Sequence, residues 1–131
     1  MNAVTIIQTK LDDHQSKKWF YSLMDTYEKP VDDIKNDDVF LAMTNEKAIG
    51  CVALYKNELR RLFVVPEYRQ NGIGKQLVVS VIELARKKGV TQLELRTRAS
   101  MTPAIQLYTQ LGFIAQSTPI ANFQFVMRKD L

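Results

Sequence analysis

An apolar strand, Leu59 to Val65, is followed by Arg69-Gln70-Asn71-Gly72-Ile73-Gly74-Lys75 and then by a helically spaced stretch that ends at Gly89. This succession of strand, glycine-containing turn and helix constrains the chain more than any other part of it. The first N–H groups of a helix have no partner within the helix and point out of its end, where the aligned peptide dipoles add positive potential. Gly72 and Gly74 allow close backbone approach and dihedrals that a Cβ resists. The junction is therefore read as an anion cradle for a phosphate-bearing ligand. An ordinary tight strand-to-helix turn is the competing reading.

Two common glycine loops fit it poorly. A dinucleotide fingerprint needs a third glycine where this chain has Leu77. A P-loop needs Ser or Thr after Gly74-Lys75 and an opening glycine; the chain has Gln76 and Arg69 there. What remains is Arg-x-x-Gly-x-Gly after Val64-Val65-Pro66.

The helix after the turn places Ile73, Leu77, Val78, Val81, Ile82 and Ala85 on one face, with Lys87-Lys88 at its negative end and Gly89 as its stop. Gln92 to Thr97 alternates as a strand, completing a βαβ unit. Thr102-Pro103 opens a further helix, with Thr102 expected as N-cap, and Leu111-Gly112 closes it. Phe113–Gln116 and Phe123–Met127 read as strands. Upstream, Val4–Thr9 reads as a strand, and Asp12 to Tyr27 as a helix capped by Asp12 or Asp13, with Trp19, Phe20, Leu23, Met24 and Tyr27 at helical spacing. A polar segment, Pro30 to Asp38, is expected to hold a short helix, its acidic residues (Asp32, Asp33, Asp37, Asp38) forming a solvated face. Val39–Met43 and Ala48–Tyr55 are strands about a turn at Asn45-Glu46-Lys47. The order β-α-α-β-β-β-α-β-α-β-β specifies an α+β domain with a mixed sheet.

At 131 residues the chain is expected to form one domain, 1–131, around one core. Its 46% hydrophobic and 24% charged residues fit a globular chain and exclude a disordered one. No apolar run approaches the roughly 20 residues that span a bilayer, and Met1 to Lys10 lacks a signal-peptide core, so no membrane role and a cytoplasmic location are expected. Cys51 is the sole cysteine, which excludes an internal disulfide and a multi-cysteine metal site; its neighbours read as a buried strand and the thiol as core. His14 lies in a polar run and reads as a surface residue, leaving neither a zinc site nor a histidine triad, and no metal is expected. A net charge of +4 suits a polyanionic cofactor as well as nucleic acid, and no aromatic-interleaved basic stripe supports a nucleic-acid partner.

From Glu58 onward the pattern Leu62-x-Val64-x-Pro66-x-x-Arg69-x-x-Gly72-x-Gly74-x-x-Leu77, followed after a strand by Ala104-x-x-Leu107-Tyr108-x-x-x-Gly112-Phe113, resembles the GNAT superfamily of acetyl-CoA-dependent N-acetyltransferases. The resemblance covers about half the chain, and the C-terminal half is also similar to small bacterial ribosomal-protein N-terminal acetyltransferases. It implies a mixed, mostly antiparallel twisted sheet of about seven strands flanked by about four helices, with two central parallel strands splayed apart. It further implies that backbone N–H groups of Gln70, Asn71, Gly72, Ile73, Gly74 and Lys75 hold the coenzyme A pyrophosphate, with Arg69 among the cofactor-binding residues of the loop, and that the strand Leu62-Phe63-Val64 pairs with pantetheine. Leu62 N–H would face the thioester carbonyl and Val64 the pantetheine amides. Lys75 either adds charge at the phosphates or occupies an exposed first turn.

An acceptor amine with pKa near ~10.4 is protonated at neutral pH and must lose a proton before attack. The resemblance makes Tyr108 the general acid at the departing sulfur and Glu58 the candidate base. The competing readings are a packed helix tyrosine, and a surface glutamate paired with Arg60 or a lysine. Even strand spacing puts Glu58 and Leu62 on one face unless a bulge intervenes. Relatives often carry an asparagine where this chain has Met101; Ser100 either substitutes for it in holding the cofactor or only helps begin the helix. The implied reaction is direct acetyl transfer to a primary amine of a small molecule or peptide. A non-catalytic coenzyme A-binding module is the alternative. The segment Ile120 to Phe125 either lines the acceptor site or forms a homodimer contact.

Overall fold

The computed structural model describes residues 3–11, 13–27, 37–120 and 123–131. In chain order the elements are β1 (Thr5–Thr9), α1 (His14–Tyr27), β2 (Asp38–Thr44), β3 (Lys47–Tyr55), β4 (Glu58–Val64), a 3-10 turn (Pro66–Tyr68), α2 (Ile73–Lys87), β5 (Gln92–Arg98), α3 (Thr102–Gln110), β6 (Ile114–Ala115) and β7 (Gln124–Asp130). The strands form one sheet in the order β1-β2-β3-β4-β5-β7-β6. β4 and β5 are parallel, and every other neighbouring pair is antiparallel. This is the mixed, mostly antiparallel arrangement the sequence implied. The short helix expected between Pro30 and Asp38 falls, apart from Asp37 and Asp38, outside the described residues.

Local chemistry accounts for most boundaries. Asp13 accepts a 2.8 Å hydrogen bond from the Ser16 N–H and so caps α1, and that bond holds its carboxyl below the usual aspartate value. Asn45 and Glu46 both take positive φ (49° and 58°), the dihedrals a two-residue hairpin needs to match strand twist. α2 ends in paired bonds, Gly89 N–H to Arg86 O and Val90 N–H to Ala85 O, with Gly89 at φ 79°. α3 begins one residue earlier than expected. Thr102 is its first helical residue, Met101 stands at the cap position, and no side chain caps it.

The core lies in two layers. On one side of the sheet α2 buries Ile73, Leu77, Val78, Val81, Ile82 and Ala85 against Val52, Leu54, Leu59, Leu93 and Leu95. At ~1.5–3 kcal/mol for each large aliphatic side chain, this helix face contributes on the order of 10 kcal/mol. On the other side Phe20 and Leu23 of α1 pack with Val39, Leu41, Cys51, Ala53 and Phe63. Asp37 and Asp38 are not a solvated face: both are buried, Asp37 under Arg60 and Asp38 beside Lys88 and Lys10.

Candidate functional site

The site is built where β4 leaves its regular course. Opposite β3 the register runs Tyr55–Glu58, Leu54–Leu59 and Ala53–Arg60, then resumes at Cys51–Phe63. Arg61 and Leu62 therefore face the single residue Val52, a β-bulge, and Arg61 has a φ of 62°. The bulge reverses the faces: Leu59 packs with the α2 layer, but Phe63, four residues on, packs with the α1 layer. Glu58 and Leu62 consequently project to opposite faces, and the even-spacing expectation is corrected.

Beside β5, β4 is in register only at Glu58–Glu94, after which the two parallel strands part. Val65 N–H bonds Ile49 O at 2.9 Å, which makes Gly50–Val64 the non-bonded pair of that ladder. The N–H and C=O of Val64 therefore face away from β3, into the gap, and extended backbone sends those of Leu62 the same way. Leu62 has no register partner in either neighbouring strand. Phe63 turns its own main chain to β3 and buries its ring.

At the open end of the gap the chain makes the 3-10 turn and reaches α2 through Gln70 (φ 65°) and Gly72 (φ 78°). The first intrahelical bond is Gln76 N–H to Gly72 O at 3.1 Å, and no side chain caps the helix. The N–H groups of Ile73, Gly74 and Lys75 thus have no partner within the helix. Of the two glycines only Gly72 supplies a left-handed dihedral, since Gly74 is helical, and a Cβ on Gly74 would point at Leu107 and Val64 side chains. Two polar side chains shape the loop from within. Asn71 Nδ2 donates to the Tyr68 and Arg69 carbonyls at 3.2 and 3.1 Å. Arg69 Nε donates to Val64 O at 2.8 Å, with its guanidinium 5.6 Å from the Phe63 ring centre. Gln70 and Lys75 are exposed.

Glu58 sits at the closed end of the gap, its carboxylate bonded to Arg96 and 3.8 Å from Arg60. Tyr108, on α3, is buried and meets Phe113 edge-on, with ring centres 5.8 Å apart. Ser100 lies in an exposed turn and does not cap α3. Cys51 is buried, its thiol donates to Arg61 O at 3.3 Å, and burial pushes its pKa up to about 12. His14 is exposed. Ile120 and Phe123 are 64% and 72% exposed.

Sequence reading missed Asp37 and Arg96. Asp37 grips Arg60 with two bonds, Nε–Oδ2 at 2.7 Å and Nη2–Oδ1 at 2.8 Å, and Arg96 clasps Glu58. The residues of each pair lie 23 and 38 positions apart, and no local spacing announces them. Among the described residues no group of three or more His, Cys, Asp or Glu could hold a metal ion. No described helix is long and apolar enough to cross a membrane.

Comparison with known proteins supplies the context. A family model, the Acetyltransferase (GNAT) family, matches residues 9–113. A stretch covering 50% of the chain and 45% of the relative is 41% identical, over 66 residues, to the [Ribosomal protein bS18]-alanine N-acetyltransferase of Escherichia coli. The chain spans less than half the length of this and similar curated relatives. In fold it matches a Bacillus subtilis acetyltransferase solved in complex with CoA, with TM-score 0.80, 21% identity and coverage of 98% and 99% of the two chains. A GNAT family acetyltransferase of Elizabethkingia anophelis, solved with acetyl-CoA bound, gives TM-score 0.73 at 22% identity, covering 98% of each.

Proposed function

The chain belongs to the acetyltransferase (GNAT) family, and from that premise we propose that it transfers an acetyl group from acetyl-CoA to a primary amine of a small molecule or peptide, by direct attack in a ternary complex. The observation that carries this reading is the open N-terminus of α2 at the mouth of a gap into which Leu62 and Val64 present main-chain groups. A diphosphate fits the first of these and an extended amide-bearing arm the second.

In this reading the N–H groups from Gln70 to Lys75 hold the pyrophosphate, and Arg69 and Asn71 act by bracing the loop. Val64 offers its N–H to the arm, its carbonyl being taken by Arg69. Lys75, exposed in the first turn of α2, adds positive charge near the phosphates. Ser100 is assigned no more than a place in the turn before α3.

The bound cofactor supplies an acetyl thioester, whose carbonyl carbon accepts the amine as its bond to sulfur breaks. The Leu62 N–H, fixed by the bulge, donates to the carbonyl oxygen as negative charge gathers there. The Tyr108 hydroxyl returns a proton to the departing sulfur. Glu58 takes the amine's proton. Leu62 lies on the order of 10 Å further along β4, so the Glu58 carboxylate acts through water rather than directly. Cys51 is set apart from the reaction by burial and a pKa of about 12, which supports direct transfer over an acetyl-enzyme.

The test is release of free coenzyme A thiol from acetyl-CoA with a panel of amines. Amine-dependent release supports the reading. The alternative, a coenzyme A-binding module without turnover, draws on the engagement of Glu58 by two arginines. Tight binding of acetyl-CoA with no release across the panel would favour it.

A further inference from the structure

The identity of the acceptor, within the transferase reading above, is the point on which the surface beside the gap bears. α2 and α3 close the gap on one side, where Gly74 lies against Leu107 and Tyr108 is buried. On the other side α1 packs over β3, while the outward residues of β5 stay open, Arg96 with half its side chain exposed and Arg98 exposed. A second reactant reaches the gap across this open face.

The face carries a chain of alternating charge. Asp37 pairs with Arg60 at 2.7 Å, Arg60 approaches Glu58 at 3.8 Å, and Glu58 bonds Arg96. Arg96 approaches Glu94 at 3.8 Å, and Glu94 meets Arg128 at 3.3 Å. Three carboxylates answer three guanidiniums, so this lattice is balanced. Arg98 is the next outward residue of β5, and among the described residues no carboxylate pairs with it. Because Glu58 and Glu94 are in register, Arg98 and Leu62, each four residues further on, stand at about the same level on either side of the gap. Among the described residues, one unmatched cation therefore flanks the place where the acceptor must arrive.

A guanidinium binds a carboxylate through two parallel N–H···O bonds, which orients it as well as attracting it. We propose that the acceptor is a small amine carrying a carboxylate of its own, an amino acid in the broad sense, and that Arg98 holds that carboxylate while the amine enters the gap. The balanced lattice beside it gives no comparable hold on a purely cationic amine.

The experiment compares α- and ω-amino acids with their own carboxamides, rates being corrected for the fraction of unprotonated amine. The expected result is a kcat/KM at least about 10-fold higher for the acids. In Arg98→Gln that preference collapses through the acceptor KM, while the KM for acetyl-CoA and the melting temperature hold; Arg98→Lys restores part of it. Arg86→Gln, an exposed position at the far end of α2, serves as the control and keeps the preference. Carboxamides used as well as acids, an equal loss for both in Arg98→Gln, or an effect confined to acetyl-CoA would overturn the assignment. If the chain binds coenzyme A yet acetylates nothing, the transferase reading has failed separately. Titration of the acids onto the coenzyme A complex then decides: binding lost in Arg98→Gln sustains the anion site, and absence of binding ends it.

Discussion

The thiol of Cys51 donates a hydrogen bond of 3.3 Å to the carbonyl of Arg61, the residue whose positive φ makes the bulge in β4. The bond ties the core of the α1 layer to the backbone distortion that frees Leu62 from both neighbouring strands. A thiol donates only while protonated, and burial raises the Cys51 pKa from 9.0 to about 12. The unfolded chain, with the ordinary value, loses the proton first as pH rises. The stabilisation is therefore complete below about pH 9 and is lost between about pH 9 and 12, at up to about 1.4 kcal/mol per pH unit. The difference in unfolding free energy between the parent chain and Cys51→Ala should narrow over that range. A difference independent of pH up to 11 would contradict the assignment. Iodoacetamide at pH 8 should leave the native thiol unmodified and alkylate it once urea unfolds the chain.

The two glycines of the cradle should separate in their effects. At Gly72 an added Cβ meets nothing within 4 Å, but φ is 78°. Gly72→Ala should cost about 1 kcal/mol through the dihedral alone, and weaken coenzyme A binding as the first turn of α2 readjusts. At Gly74 the backbone is helical, and a Cβ would sit 3.4 Å from Leu107 Cδ2, an ordinary contact on the side facing α3. Gly74→Ala should leave the melting temperature unchanged or raised, with coenzyme A affinity within a few-fold of the parent. Calorimetric titration of both variants checks this. Equal losses in the two would mean that the Gly74 main chain needs more room than its dihedral suggests.

Tyr108 and Glu58 should also divide if, as proposed, one acts on the leaving sulfur and the other on the incoming amine. Tyr108→Phe keeps the ring against Phe113, so stability should fall by no more than about 1 kcal/mol. Its kcat should drop about 10²-fold with little change in either KM, as expected for an interaction made in the transition state. Glu58→Gln should lower kcat/KM about 10-fold near neutral pH. Its ion pairs with Arg60 and Arg96 are partly exposed and contribute only about 0–1 kcal/mol each, so melting should change little. An unchanged kcat/KM would assign the proton to solvent water.

Periodicity and turn chemistry made most of this fold legible. The apolar face of α2 emerged in full, because a helix against a sheet repeats its buried positions every three to four residues. The glycine turn marked the open N-terminus of α2 for the same local reason. The bulge did not declare itself: Arg61 is not a glycine, and the reversal of faces between Leu59 and Phe63 is visible only against β3. The charge lattice was hidden too. Asp37 and Asp38 look like surface acids in a polar run, and only long-range pairing with Arg60 and Lys88 shows why they are buried.

That burial has a measurable consequence. Asp37 is fully enclosed and holds Arg60 through two short bonds, while Arg60 keeps 21% of its side chain exposed and lies 4.8 Å from the Tyr55 ring centre. Removing one partner of an enclosed pair leaves the other charge uncompensated, at a cost of about 3–5 kcal/mol. Because the Arg60 guanidinium still reaches water, Asp37→Asn should fall at the lower end, about 3 kcal/mol. Arg60→Met removes the opposite partner, leaving the enclosed carboxylate without its cation, and should cost more. The double variant should be less damaged than the sum of the singles, since neither charge is then stranded. Urea unfolding of the four proteins measures the coupling. Strict additivity would show that the pair contributes packing rather than charge. A normal acceptor KM in Asp37→Asn would show that the lattice needs this anchor for stability but not for the open face beside β5.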